Sequence, residues 1–392
     1  MSQQSVSYAP RGSLWEGASL IAGTAIGGGM LAIPLCTYQG GFWMAFLTSV
    51  VAWICLTGTG LALCRVLSVS PDRLSFLALA HRWLGKWWTP GISTLFMVLL
   101  WLLLIAYSAG GGALLRKEGW SPIVTTLCFV APLSSSLIGG RSMISRLNSL
   151  LFGLLLFVGV LFGCMAAPHW SAAGLATSPQ AGFVGWWAAL PVLFAAFGFQ
   201  NVLPTVSMHL GRDARRLSQA VLCGTSLAFL LIVGWQALVF GCLSPDNLRE
   251  CALLGTPVTR MLGQNCSQEY LFAVAGFVFS YLAMATSFLG VAQGGLEVLR
   301  QGNDSNRRPI LCLGLIASAW IASLLRADMF ERALSMAGGL GVSILNGVLP
   351  VALLLVAVKR GAIGMSRTEQ TIWGIFGIAS LSPLIIELLG IS

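Results

Sequence analysis

The charges of this chain are spaced so that long stretches carry none. There are 48 uncharged residues between Glu16 and Arg65, 29 between Lys86 and Arg116, and 65 between Arg146 and Arg212. A helix needs about 20 apolar residues to cross a bilayer, so each gap holds one or two crossings. Of the 392 residues, 56% are hydrophobic and 9% charged, a balance that a water-soluble domain of this length does not show. The solvent is lipid, and a lipid-spanning segment has to satisfy its own backbone hydrogen bonds. The chain therefore reads as an all-α integral membrane protein.

The sequence predicts eleven crossings, at Leu14–Cys36, Phe42–Cys64, Ile92–Leu115, Pro122–Leu137, Ile144–Ala167, Val184–His209, Leu217–Leu243, Tyr270–Leu299, Pro309–Leu325, Ala333–Val358 and Thr371–Leu389. Alternate connections carry 16 of the 22 Lys and Arg residues on one side and 6 on the other. Since these bases collect on the cytoplasmic side, the N-terminus is expected inside and the C-terminus outside, in the periplasm if the membrane is a bacterial inner membrane. The net charge of +9 is spread over short loops and forms no basic stripe with aromatics between, so nucleic acid is not an expected partner. The segment Met1–Ser13 and the glycine-rich helix after it do not fit a cleaved signal, so this helix is expected in the mature protein. Of the ten cysteines, Cys251 and Cys266 share one outer connection, where a disulfide and two free thiols are both open. No cysteine and histidine cluster with metal-ligand spacing occurs, and no cofactor is expected.

Function is sought where helices break, because an interrupted membrane helix exposes backbone groups that only a lined cavity, water or a ligand can satisfy. In the first span, Gly23-Thr24-Ala25-Ile26-Gly27-Gly28-Gly29 places four glycines in seven residues, with Pro34 beyond. Three consecutive glycines cost a helix roughly 2.5–3 kcal/mol relative to alanine. Close helix packing through Gly23 and Gly27, at GxxxG spacing, is the competing explanation. The sixth span carries Phe197-Gly198-Phe199-Gln200-Asn201 between Pro191 and Pro204. There the competing explanation is an interhelical hydrogen bond from a carboxamide. The two breaks hold corresponding places if the chain is five helices (14–167), five more of inverted topology (184–358) and one extra (371–389). Paired breaks of that kind point to a transporter site. Half-helix ends offer N–H groups to a carboxylate and carbonyls to an ammonium, which is what a free amino acid needs when it leaves water.

With these stretches in view, and with Ala106-Tyr107-Ser108-Ala109-Gly110-Gly111-Gly112 and Ala285-Thr286-Ser287-Phe288-Leu289-Gly290-Val291, the sequence resembles the bacterial hydroxy and aromatic amino acid permeases, which include tyrosine- and tryptophan-specific transporters. That resemblance implies a leucine-transporter-like fold and a secondary transporter that imports an aromatic amino acid by proton symport. It puts the substrate at Thr24, Ala25, Ile26, Gly27, Gly28 and Gly29, at Tyr107, and at Phe197, Gly198, Phe199, Gln200 and Asn201. It also makes Gly23, Ile26, Thr286 and Ser287 an expected ion site if a cation such as sodium is coupled instead. Hydroxyls such as those of Thr286 and Ser287 equally often bond back to their own helix. Glu16, Glu297 and Glu387 lie near span ends, Glu297 one turn before Arg300, and none identifies itself as a proton carrier. A membrane-embedded enzyme would need a nucleophile with a base or a metal motif, and a channel would need charge rings or a repeated filter loop. The sequence shows neither.

Overall fold

The computed structural model describes residues 12–70, 75–136, 141–176, 187–264, 269–302, 308–326 and 328–390. Among them every regular element is helical. In chain order these are α1 (Leu14–Ala25), α2 (Gly29–Thr37), α3 (Gly41–Ser68), α4 (Phe76–Leu84), α5 (Thr89–Leu114), α6 (Pro122–Ser136), α7 (Arg141–Ala166), α8 (Leu190–Phe197) and α9 (Leu203–His209). They continue as α10 (Ala214–Cys242), α11 (Pro245–Leu254), α12 (Val258–Gln264), α13 (Glu269–Gly302) and α14 (Arg308–Ser323). The last are α15 (Met329–Met336), running through a π-helix (Ala337–Val348) into α16 (Leu349–Lys359), then α17 (Arg367–Ala379) and α18 (Ser382–Leu388).

Eight helical runs among the described residues are long and apolar enough to cross a membrane, and Pro122–Ser136 and Leu313–Ser323 are shorter apolar helices. The protein is a multi-spanning helical membrane bundle. Gly29–Ser68 counts as one run because the second half of the first expected span continues through a 3-10 turn, Tyr38–Gly40, into α3. Helix ends follow local capping chemistry more closely than hydropathy. Ser13 opens α1 in a capping box, its Oγ accepting from the Glu16 N–H at 3.2 Å while Glu16 Oε2 accepts from the Ser13 N–H at 2.9 Å. Asp213 caps α10 and Ser366 caps α17, so both helices begin before the apolar residues do. The expected start at Val184, Cys266, and the side chains of Glu297 and Arg300 lie outside the described residues; Cys251 is buried.

Burial orders the bundle from rim to centre. In the apolar stretch of Leu190–His209, 72% of residues are buried inside the protein, against 22% for Leu147–His169 and 17% for Arg367–Leu388. The expected sixth span is therefore central, and the fifth and eleventh present apolar faces outward to lipid. The π-helix also runs through the interior, where each N–H bonds five residues back instead of four. Its Gly338 lies so close to the Pro191 carbonyl of α8 that an added Cβ would collide with that backbone oxygen.

Candidate functional site

The first expected span is two helices. Ala25 ends α1, Ile26 is extended (φ −93°, ψ 91°), and α2 restarts at Gly29. The Ile26 N–H still reaches Ala22 O at 2.8 Å, and Met30 and Leu31 bond back to Gly27 O and Gly28 O at 3.1 Å. The Gly28 N–H leaves this ladder and donates to Ser287 Oγ of α13 at 2.8 Å. No side chain fits at Gly28, because its Cβ would stand 2.7 Å from Met284 Sδ and 3.0 Å from the Tyr107 ring. At Gly27 it would meet Ser287 Oγ. The Tyr107 hydroxyl, on α5, also hydrogen-bonds the Ser287 side chain. Three elements thus converge on one bend: the α1–α2 junction, Tyr107, and the Met284–Ser287 turn of α13.

The second break follows the same plan. Helix α8 stops at Phe197, Gly198 is extended (φ −73°, ψ 105°), and a 3-10 turn over Gln200–Val202 leads into α9. Asn346 of the π-helix faces this junction, its Nδ2 standing 3.0 Å from the position of a Gly198 Cβ. Asn346 is buried, and its Oδ1 has no hydrogen-bond partner within the protein. The two breaks adjoin, since Gly29 lies against Ala196 at ordinary contact distance.

The other expected residues have more particular surroundings. Gln200 is fully buried; its Nε2 donates to Leu56 O at 3.0 Å and Thr59 Oγ1 at 3.1 Å, both on α3, and its Oε1 accepts from the Phe199 N–H at 3.1 Å. The Phe199 ring is buried over Gly60 of α3, Phe197 is buried, and Asn201 is exposed. Ala25 and Ile26 are buried, and the Thr24 hydroxyl donates to Leu20 O at 2.8 Å. Of the expected ion-site residues, Ser287 is at the bend. Thr286 donates within its own helix, to Leu282 O at 2.9 Å and Ala283 O at 3.2 Å, while Gly23 faces Phe152 of α7.

A cavity of about 40 Å³ lies beside the first break, between Leu31, Leu35, Gly110, Met284, Phe330 and Glu331. That is room for water and not for an amino acid. A second cavity of about 330 Å³ shares Leu114, Pro257 and Thr259 with it and is lined by Arg116, Lys117, Arg260 and Phe277. Sequence reasoning passed over Asn346 and Glu331. Glu331 stands two residues before the expected start of the tenth span and next to Arg332, so nothing in the sequence set it inside the membrane.

The family model described as the tryptophan/tyrosine permease family matches residues 11–379. The tyrosine-specific transport system 1 of Haemophilus influenzae is 28% identical over 386 residues, covering 95% of this chain and 93% of its own. The tryptophan-specific transport protein of the same organism is 32% identical over 314 residues, 72% of each chain. Glutamine transporter 2 of Aliivibrio fischeri is 26% identical, covering 88% of this chain and 90% of its own.

Proposed function

Because the chain belongs to the tryptophan/tyrosine permease family, and so is a secondary transporter of a small polar or aromatic amino acid in the inner membrane rather than an enzyme, we propose that it imports tyrosine or tryptophan by proton symport. The observation that carries this reading is the pair of adjoining breaks. Each leaves backbone groups outside a helical ladder in the interior of an apolar bundle, at a cost that a ligand offsets. The N-terminal end of α2 at Gly28 and Gly29 suits the substrate carboxylate, and the carbonyl end of α8 suits the ammonium. The binding residues proposed are Thr24 to Gly29, Tyr107 and Phe197 to Asn201. Gln200 and Phe199 act by holding the second break against α3.

The architecture proposed is eleven crossings in two inverted five-helix repeats plus one, with the substrate handled by alternating access around broken helices one and six. Packing supports it, because contacts occur in pairs related by a step of five spans. Helix α1 packs on α10 and α3 on α8; α7 packs on α13 and α5 on α15; α5 packs on α6 and α13 on α14. The distribution of bases supports a cytoplasmic N-terminus and a periplasmic C-terminus.

Proteoliposomes test substrate and ion together. Labelled tyrosine or tryptophan should enter by counterflow, and unlabelled serine, threonine or glutamine should compete poorly. Glutamine is the stringent competitor because a relative carries that name. Equal competition by any of the three would overturn the aromatic assignment. Uptake under an imposed pH gradient, with the potential clamped, should exceed uptake under an imposed sodium gradient. Stimulation by sodium alone would replace the proton and make Gly23, Ile26, Thr286 and Ser287 the cation site.

A further inference from the structure

We propose that Glu331 is the group that binds the coupled proton, at the outer end of the cavity beside the first break; this rests on the proton-symport reading above. The carboxylate lies in the first turn of α15 and lines the cavity with Leu31, Leu35, Gly110 and Met284 and with the hydroxyl residues Thr256, Thr259 and Ser280, a lining that brings no basic side chain to an ionised carboxylate. Among the described residues it accepts from its own backbone N–H and has no Lys, Arg or His within 4 Å. The two nearby arginines are engaged elsewhere, since Asp328 holds Arg326 at 2.9 Å and Arg332 at 2.6 Å. An acid in that setting is far cheaper to keep neutral than charged, so a proton is the natural ligand that the cavity delivers to it.

Its electrostatic surroundings are sparse on every packed element. Helix α2 contributes the Cys36 thiol, and the stretches of α5 and α13 that line the cavity contribute no charge. Arg116, Lys117 and Arg260 lie across the shared wall in the larger cavity. On α18, Glu387 accepts from Ser335, one turn beyond Glu331, at 2.6 Å. Besides Asp328, Arg326 and Arg332, these are the groups that bear on its protonation.

Position makes the protonation consequential. Phe330, the adjacent residue, and Met284 both close over Gly110, with atoms 3.1 and 2.7 Å from a Cβ position there. Met284 also stands over Gly28. Two side chains therefore separate Glu331 from the bend that Ser287 and Tyr107 hold. The helix that carries Glu331 continues through the π-helix to Asn346 at the second break. In the cycle, the carboxylate takes a proton through the outer cavity. The neutral acid allows the Phe330–Met284 constriction to change sides, and the proton leaves toward the cytoplasm as the carboxylate reforms. One proton accompanies one zwitterion, so each turnover moves one positive charge inward.

The test separates exchange from accumulation in proteoliposomes, using labelled tyrosine and tryptophan as probes. Glu331→Gln, which mimics the neutral acid, should exchange substrate within about twofold of the wild type but lose accumulation driven by a pH gradient, its inside-to-outside ratio falling to unity. Glu331→Asp should restore part of that accumulation. Accumulation by Glu331→Gln equal to the wild type's would overturn the assignment. So would loss of exchange in both variants, which would mark Glu331 as structural. A wild type that ignores the pH gradient would instead remove the symport reading itself, and the role of Glu331 with it.

Discussion

Glu16 Oε2 and His209 Nε2 stand 2.7 Å apart, joining the first turn of α1 to the last residue of α9. The outermost ends of the two broken helices are thereby tied at one membrane face. Two further bonds reinforce the tie: the Gly12 N–H donates to His209 O at 3.0 Å, and Arg216 Nη2 donates to Gly12 O at 2.8 Å. Both side chains of the pair are substantially exposed, so water competes for this hydrogen bond. Such a contact is suited to a latch that opens once per cycle.

If it is a latch, Glu16→Gln should favour the conformation open at that face. A cysteine placed at Thr24, in a protein with its native cysteines replaced, should react roughly two- to fivefold faster with a membrane-impermeant thiol reagent applied from the side of the N-terminus. Equal reaction rates in the two proteins would show that the pair is surface decoration.

Ser287 and Thr286 are neighbours with opposite commitments, and their alanine variants should differ accordingly. Ser287→Ala removes the acceptor of the Gly28 N–H, leaving a part-buried donor unpaired at a cost of about 1–3 kcal/mol. Uptake should fall at least tenfold with the protein still in the membrane. Thr286→Ala gives up bonds made within one helix and should change uptake about twofold. Initial rates normalised to membrane protein decide it, and a larger loss in Thr286→Ala would reverse these roles.

Gln200 connects the second break to α3, so its loss should appear first in stability. Gln200→Ala removes the bonds to Leu56 O and Thr59 Oγ1, which keep the bond between themselves, and leaves the buried Phe199 N–H without its acceptor, costing about 1–3 kcal/mol. The melting temperature in detergent should drop, while KM for the remaining active protein should stay within about twofold. A large KM change at unaltered melting temperature would mean that the carboxamide meets substrate.

Asp328 is held down to about 2 by the hydrogen bonds from Arg326 and then Arg332, against the opposing effect of its partial burial. With the native value depressed, its contribution to stability is complete above the ordinary carboxylate range and is lost only as pH falls toward 2. It stays ionised throughout the neutral range, so it is not the source of the acid stimulation expected from proton symport. Asp328→Asn should nevertheless shift that stimulation to lower pH, because it frees Arg332 beside Glu331. Uptake profiles measured between about pH 5 and 8 check this, and coincident midpoints would separate the arginines from the coupling site.

The multi-spanning helical character was legible because lipid excludes charge, and the gap from Glu16 to Arg65 needs no further context to be read. The helix ends were less so, because caps and snorkelling side chains carry helices past the apolar run. Helix α3 continues beyond Cys64 with Arg65 lying over the Trp373 ring at 5.5 Å and near Glu369 at 3.7 Å. A glycine run announced the first bend, and a glycine beside two carboxamides between prolines announced the second. What each bend touches was not readable, since Gly28 and Ser287 are 259 residues apart and nothing local couples them. Glu331 was hidden by its neighbours, because Asp328, Glu331 and Arg332 in close succession read as an interfacial cluster. In space, among the described residues, the arginines pair with Asp328 and not with Glu331. Asn346 was hidden by the π-helix, whose altered register no composition reveals.

The contact of Gly338 with the Pro191 carbonyl also limits how the protein can diversify. Backbone lies on backbone there, so this point of the seam between α8 and the π-helix has no side chain to vary, and any inherited replacement of Gly338 would have to part the two helices. A saturation library selected for growth on a required amino acid should therefore return glycine alone at 338. Changes of substrate preference would have to be written on the opposite wall, around Tyr107, Met284 and Ser287, where side chains meet and can be exchanged.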